Sequence, residues 1–155
     1  MASASNAPGL IDSDILIDAT RNFADAKTFL SQRRAVDGIW ISIVSAMELV
    51  AGFRNATEIK QVQQFLERTS VLPISASVSQ IAYGWMQGFF LSHGLLIPDA
   101  LIAATAFEDG LVLYSKNTRH FEMLPGLRVI RPYGQKATQW IVGRDGTELA
   151  AGREV

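Results

Sequence analysis

Leu10-Ile11-Asp12-Ser13-Asp14-Ile15-Leu16-Ile17-Asp18-Ala19 starts as a short apolar run, breaks at an acid and resumes as a second apolar segment. The break decides the reading. An extended run ends at Ile11, and a helix begins near Asp14 with Asp12 or Asp14 as its cap. Helical spacing continues over residues 23–33, through Phe23, Ala26, Phe29 and Leu30. Gly38-Ile39-Trp40-Ile41-Ser42 is rich in β-branched and aromatic types and predicts a second strand. A helix over residues 45–52, ended by glycine, follows it. Further on, residues 57–69 predict an amphipathic helix, residues 71–74 a third strand made irregular by Pro73, and residues 77–92 a long helix. A helix over 98–109 has proline in its first turn and Gly110 beyond its end, between the 77–92 helix and strands at 111–115 and 127–130. Strands alternating with helices predict an α/β domain with a mostly parallel sheet.

Composition narrows the chemistry. The chain has 155 residues, is 48% hydrophobic and carries a net charge of -1, enough apolar surface for one core. With no cysteine and only His93 and His120, disulfides, thiolate zinc sites and histidine-rich metal sites are excluded. No apolar run reaches the ~18 residues of a spanning helix, so a soluble, cytoplasmic protein without membrane contact is expected. The near-neutral balance disfavours indiscriminate nucleic-acid binding, although ten arginines against four lysines leave room for a local phosphate patch. Residues 1–9 read as a mobile end, 10–132 as the domain and 133–155 as an extension of unassigned role, with Trp140, Ile141 and Val142 among polar residues.

Parallel crossovers gather strand ends on one edge, where such sheets hold their ligands. Asp12 follows the first strand, Glu48 lies in the helix after the second, Asp99 opens a helix and Asn117 follows the fourth strand, three residues before His120. Each has an ordinary alternative. Ser45 to Glu48 matches a capping box, Asp99 suits a helix N-terminus, Asp12 suits a cap, Asn117 suits a turn and His120 suits packing. Jointly they are harder to dismiss. Two carboxylates about 4 Å apart at an effective dielectric of 20 cost roughly 4 kcal/mol. Against a net stability of about 5–15 kcal/mol, three such charges need protonation or a divalent cation. Hard oxygen donors favour magnesium or manganese, and magnesium usually meets phosphate oxygens.

At these residues the sequence resembles the PIN-domain proteins, most closely the VapC-type toxins of bacterial toxin–antitoxin pairs. Four segments carry the resemblance in order, from about Leu10 to Arg131: the opening stretch, Ile41-Ser42-Ile43-Val44-Ser45-Ala46-Met47-Glu48-Leu49-Val50-Ala51-Gly52, Ile97-Pro98-Asp99-Ala100-Leu101-Ile102-Ala103-Ala104-Thr105-Ala106 and Ser115-Lys116-Asn117-Thr118-Arg119-His120-Phe121. It implies a three-layer α/β/α fold and a magnesium- or manganese-dependent endoribonuclease, dimeric and held inactive by a cognate antitoxin. Asp12, Glu48 and Asp99 fall on the family's acidic, metal-binding positions and Asn117 on its later polar position. Ser13 and Ser115 match positions where a hydroxyl is typical. Asp14 stands where asparagine is commoner, and His120 replaces a frequent acid. Water attack implies 5′-phosphate and 3′-hydroxyl products. Lys116 and Arg119 are the candidate phosphate contacts.

Two other readings compete. A PIN module that has lost catalysis would keep the fold and bind only a partner. A haloacid-dehalogenase-like phosphatase would use Asp12 as nucleophile and Asp14 as acid, though its downstream paired acids are missing. Separately, Trp85, Met86, Phe89, Phe90 and Leu91 are more apolar than one buried helix face needs, which predicts a homodimer or deeper burial.

Overall fold

The computed structural model describes residues 7–134, 139–142 and 148–151. Its strands are β1 (Gly9–Ile11), β2 (Trp40–Ser42), β3 (Ser70–Leu72), β4 (Val112–Tyr114), β5 (Arg128–Ile130), β6 (Gln139–Val142) and β7 (Glu148–Ala151). The helices are α1 (Ser13–Thr20), α2 (Ala24–Val36), α3 (Ile43–Ala51), α4 (Ala56–Glu67), α5 (Ala76–His93) and α6 (Ile97–Glu108). One sheet runs in the order β3-β2-β1-β4-β5-β6-β7. The first five strands in that order are parallel, and β6 and β7 add antiparallel to the β5 edge.

Strand side chains alternate between two apolar layers, as a period of two requires. Leu10, Leu113 and Val129 enter the layer under α5 and α6, with Ala100, Ala103, Ala104, Phe121 and Leu124. Ile11, Ile41, Tyr114 and Ile130 enter the opposite layer, with Ile15, Leu16, Phe29, Leu30 and Val62 from α1, α2 and α4. Burial on both faces explains why β1 and β4 read as unbroken apolar runs. The result is the expected three-layer α/β/α arrangement.

Two boundaries differ from expectation. Gly9 belongs to β1 rather than to a mobile end: the Tyr114 hydroxyl donates to the Ala7 carbonyl and the Val112 N–H to the Pro8 carbonyl. A Cβ at Gly9 would stand 2.3 Å from Tyr114 Cε2, so only glycine lets that ring pack across the strand. The segment past Pro132, expected as an extension of unassigned role, supplies strands β6 and β7 to the sheet. The remainder of the expected 1–9 end, residues 1–6, lies outside the described residues.

Strand order reverses between β1, whose neighbours continue to β2 and β3, and β4, which continues to β5. Ligand crevices of open α/β sheets form at such a switch point, outside the carboxyl ends of the strands. Asp12 leaves β1 and Ser115 leaves β4 side by side, with the Asp12 N–H donating to the Tyr114 carbonyl at 2.9 Å.

Candidate active site

Asp12 is buried, at 5% exposure, and its Oδ1 caps α1 by accepting the Ser13 N–H at 2.8 Å. Its Oδ2 accepts the Ser115 hydroxyl at 2.8 Å. Capping α1 uses one carboxylate oxygen and leaves the other at the sheet edge with Ser115. Ser13 Oγ lies 3.3 Å from both Asp12 Oδ1 and Glu48 Oε1, which ties α1 to α3.

Glu48 is free for this contact because the expected capping box does not form. Helix α3 starts at Ile43, two residues earlier than expected, with Ser42 as its cap accepting the Val44 N–H at 3.1 Å. Ser45 then falls inside the helix, and its buried hydroxyl has no hydrogen-bond partner among the described residues. Asp99 sits in the first turn of α6, beyond Pro98, and its Oδ2 is 3.3 Å from His120 Nδ1. His120 thus meets one of the acids instead of supplying a fourth.

Asp14, from the sequence a cap candidate and a departure from the commoner asparagine, is built into the acidic cluster. Its Oδ2 accepts the Lys116 N–H at 2.9 Å and lies 3.4 Å from the Ser115 hydroxyl. Its Oδ1 is buried with no hydrogen-bond partner among the described residues. The Asn117 N–H donates to Ser115 Oγ at 3.0 Å, and the Asn117 side chain is exposed without capping the following turn (Thr118–His120). Arg119 is exposed. Lys116 turns its ammonium to Asp18 Oδ2 at 2.6 Å.

Electrostatics binds these groups into one unit. Burial, then the neighbouring Asp14 and Asp99 carboxylates, push Asp12 up to about 7, against the pull of the Ser115 and Ser13 hydrogen bonds. Burial raises Asp14 despite the Lys116 and Ser115 contacts. Glu48 is raised by burial and by Asp99 and Asp14, and Asp99 by burial in spite of His120. Burial thus makes four carboxyl groups hold protons abnormally well, and the neighbouring carboxylates add to the effect at Asp12 and Glu48.

Among the described residues, no three His, Asp or Glu side chains surround a common point closely enough to hold an ion as they stand. The donor set still suits a hard cation. It is all carboxylate and hydroxyl oxygen, it is too anionic to be at ease, and one buried oxygen is unpartnered.

Comparison with known proteins agrees with this architecture. The PIN domain family model matches residues 9–126, and the chain belongs to the PIN domain family. Within that class it is 35% identical over 120 residues to Ribonuclease VapC10 of Mycobacterium tuberculosis, covering 77% of this chain and 90% of the relative. Ribonuclease VapC1 of Methanocaldococcus jannaschii is 29% identical over 126 residues, covering 77% and 85%. A solved toxin-antitoxin complex from Klebsiella pneumoniae contains a chain that superposes with a TM-score of 0.68 at 29% identity, covering 81% of this chain and 98% of that one. Membership in this family removes the haloacid-dehalogenase-like alternative. Among the described residues no helix is long and apolar enough to cross a membrane.

Proposed function

We propose that the chain is an endoribonuclease that hydrolyses RNA phosphodiesters with magnesium or manganese, and that it is the toxin of a type II toxin–antitoxin pair. The observation that carries this reading is the gathering of Asp12, Asp14 and Glu48 through Ser13 and Ser115 at the switch point of the sheet, where they and Asp99 all hold protons more tightly than ordinary carboxyl groups. The ribonuclease names of the two relatives support it.

Asp12, Glu48 and Asp99 would hold the ion, with Asp14 Oδ1 available beside them and Asn117 at the rim. Ligation takes side-chain movement from the arrangement seen here. A bound divalent ion supplies a water of lowered pKa and offsets charge on the scissile phosphate. Ser13 and Ser115 orient Asp12 from both sides, so its carboxylate presents a fixed face. With Asp12 near 7, its carboxyl is about half protonated at neutral pH without metal, and a bound cation would favour loss of that proton. Lys116 and Arg119 would serve RNA phosphates. Attack by water leaves a 5′-phosphate and a 3′-hydroxyl.

The partner is a protein antitoxin, as the Klebsiella pneumoniae complex suggests by likeness. A groove of about 710 Å³ beside Glu48 offers it a seat, floored by Leu16, Leu30 and Val62 and rimmed by Arg21, Arg34 and Arg54. Its mixed lining fits a segment that alternates apolar and acidic side chains. The homodimer is part of the proposal, carried by α5, where Phe90 is 52% and Leu91 96% exposed.

The direct test is purified protein with total RNA, magnesium or manganese against chelator, with end groups mapped on the products. Cleavage in metal alone, leaving 5′-phosphates, is expected. Tight binding of the antitoxin without any cleavage would instead favour the module that has lost catalysis.

A further inference from the structure

The β4 exit is gripped from a second direction, by the turn after β5. Arg131 Nη1 donates to the Lys116 carbonyl at 3.0 Å, and its Nε donates to the Tyr133 carbonyl at 3.0 Å. Gly134, at φ +100°, permits this: a Cβ there would stand 2.8 Å from Arg131 Nη2. The Tyr133 ring packs near Phe23 and Phe29, with centroids 5.8 and 6.5 Å away. Its hydroxyl donates to Asp18 Oδ2 at 2.8 Å, the same oxygen that meets Lys116 Nζ.

Lys116 is therefore fixed at three places: its amide by Asp14, its carbonyl by Arg131 and its ammonium by Asp18. An isolated ion pair at a surface would not hold a lysine, since its small gain is no larger than the side-chain entropy it costs. Here the carboxylate is itself aimed by Tyr133, and Asp18 is only 18% exposed. Burial alone would raise Asp18, yet Lys116 and Tyr133 outweigh it and the carboxyl titrates below its usual value. Asp14 and Asp18 lie one turn apart on α1, so the ammonium stands beside the acidic cluster and lowers the proton affinity of Asp14. An edge with four crowded carboxylates repels a polyanion, and a fixed cation at its border offsets that repulsion where a phosphate must enter.

We propose that Asp18 and Tyr133 are positioning residues, held by Arg131, that set the Lys116 ammonium as a contact for an RNA phosphate at the border of the acidic site. The inference rests on the ribonuclease reading. Arg131, Tyr133 and Gly134 lie beyond the family-matched residues 9–126, whereas Asp18 and Lys116 lie within them.

Tyr133→Phe keeps the ring and removes only the hydroxyl, whereas Lys116→Gln removes the charge. Full-length protein is titrated into a labelled single-stranded RNA in chelator, followed by anisotropy between about 50 and 200 mM salt. Lys116→Gln should lower the slope of log K against log salt by about 0.7, the value for one phosphate contact on a single strand. Tyr133→Phe should weaken binding about threefold, and should add nothing in the Lys116→Gln background. With magnesium or manganese, its effect should fall on KM rather than kcat. Equal salt slopes for wild type and Lys116→Gln would overturn the proposal. So would a Tyr133→Phe effect that persists without the lysine, which marks a merely structural tyrosine. If Tyr133→Phe melts early, the Lys116→Gln slope alone decides. Wild type that neither binds nor cleaves RNA defeats the ribonuclease reading itself, whereas cleavage with unchanged variants defeats only this inference.

Discussion

Asp12→Asn separates the cost of the acidic cluster from its use. In the folded chain Asp12 titrates near 7, against 3.8 as an ordinary side chain, so the folded state binds this proton more tightly than the unfolded state. Stability in chelator is therefore highest below pH 3.8 on this account and falls as pH rises towards 7. The difference amounts to about 4 kcal/mol above pH 7, because each pKa unit is worth about 1.4 kcal/mol. Asparagine still offers an oxygen to cap α1, and loses the charged hydrogen bond to Ser115 at a cost of about 2 kcal/mol. The net gain for Asp12→Asn at pH 8 is about 2 kcal/mol, or a melting temperature roughly 6 °C higher at this chain length. At pH 4 the gain should vanish. Thermal melts of both proteins in chelator from pH 4 to pH 8 test this, followed by a repeat with manganese. Manganese should raise the wild-type melting temperature and leave the variant nearly unmoved. A variant less stable than wild type at pH 8 in chelator, or a wild type indifferent to pH, would refute the electrostatic reasoning.

Other expectations are simpler to state. Asp99→Asn should abolish RNA cleavage while circular dichroism and cooperative melting are retained, since α6 keeps its packing and loses only one crowded charge; residual manganese-dependent cleavage would contradict its assignment. Gly9→Ala should destabilise the fold by about 1–3 kcal/mol in urea unfolding, because the new methyl group collides with Tyr114 inside a packed layer. Sedimentation at micromolar concentration should show a dimer that Leu91→Asp dissociates; a single 17.0 kDa species for wild type would remove the dimer.

Much of the fold was readable because burial on both faces leaves a simple signature. The β1, β2, β4 and β5 segments stand out as short apolar runs, and their alternation with helical spacing implies parallel crossovers. Asp12, Glu48 and Asp99 were legible as acids interrupting apolar runs where strands end or helices begin. Helix boundaries were less so. Ser42 and Ser45 are both plausible caps, and what selects Ser42 is that β2 ends against β3 at that residue.

The sequence by itself determined the layer pattern, the hard-oxygen character of the site and the exclusion of thiol and histidine-rich metal chemistry, because residue type and spacing are local properties. Tertiary structure alone decided that Asp14 joins the cluster, that His120 meets Asp99, and that a turn after β5 reaches back to hold Lys116 through Arg131, Tyr133 and Asp18. Those contacts join residues up to 115 positions apart. Such pairings are fixed by strand order and by which side chains meet across the sheet edge, and neither quantity has a local signal.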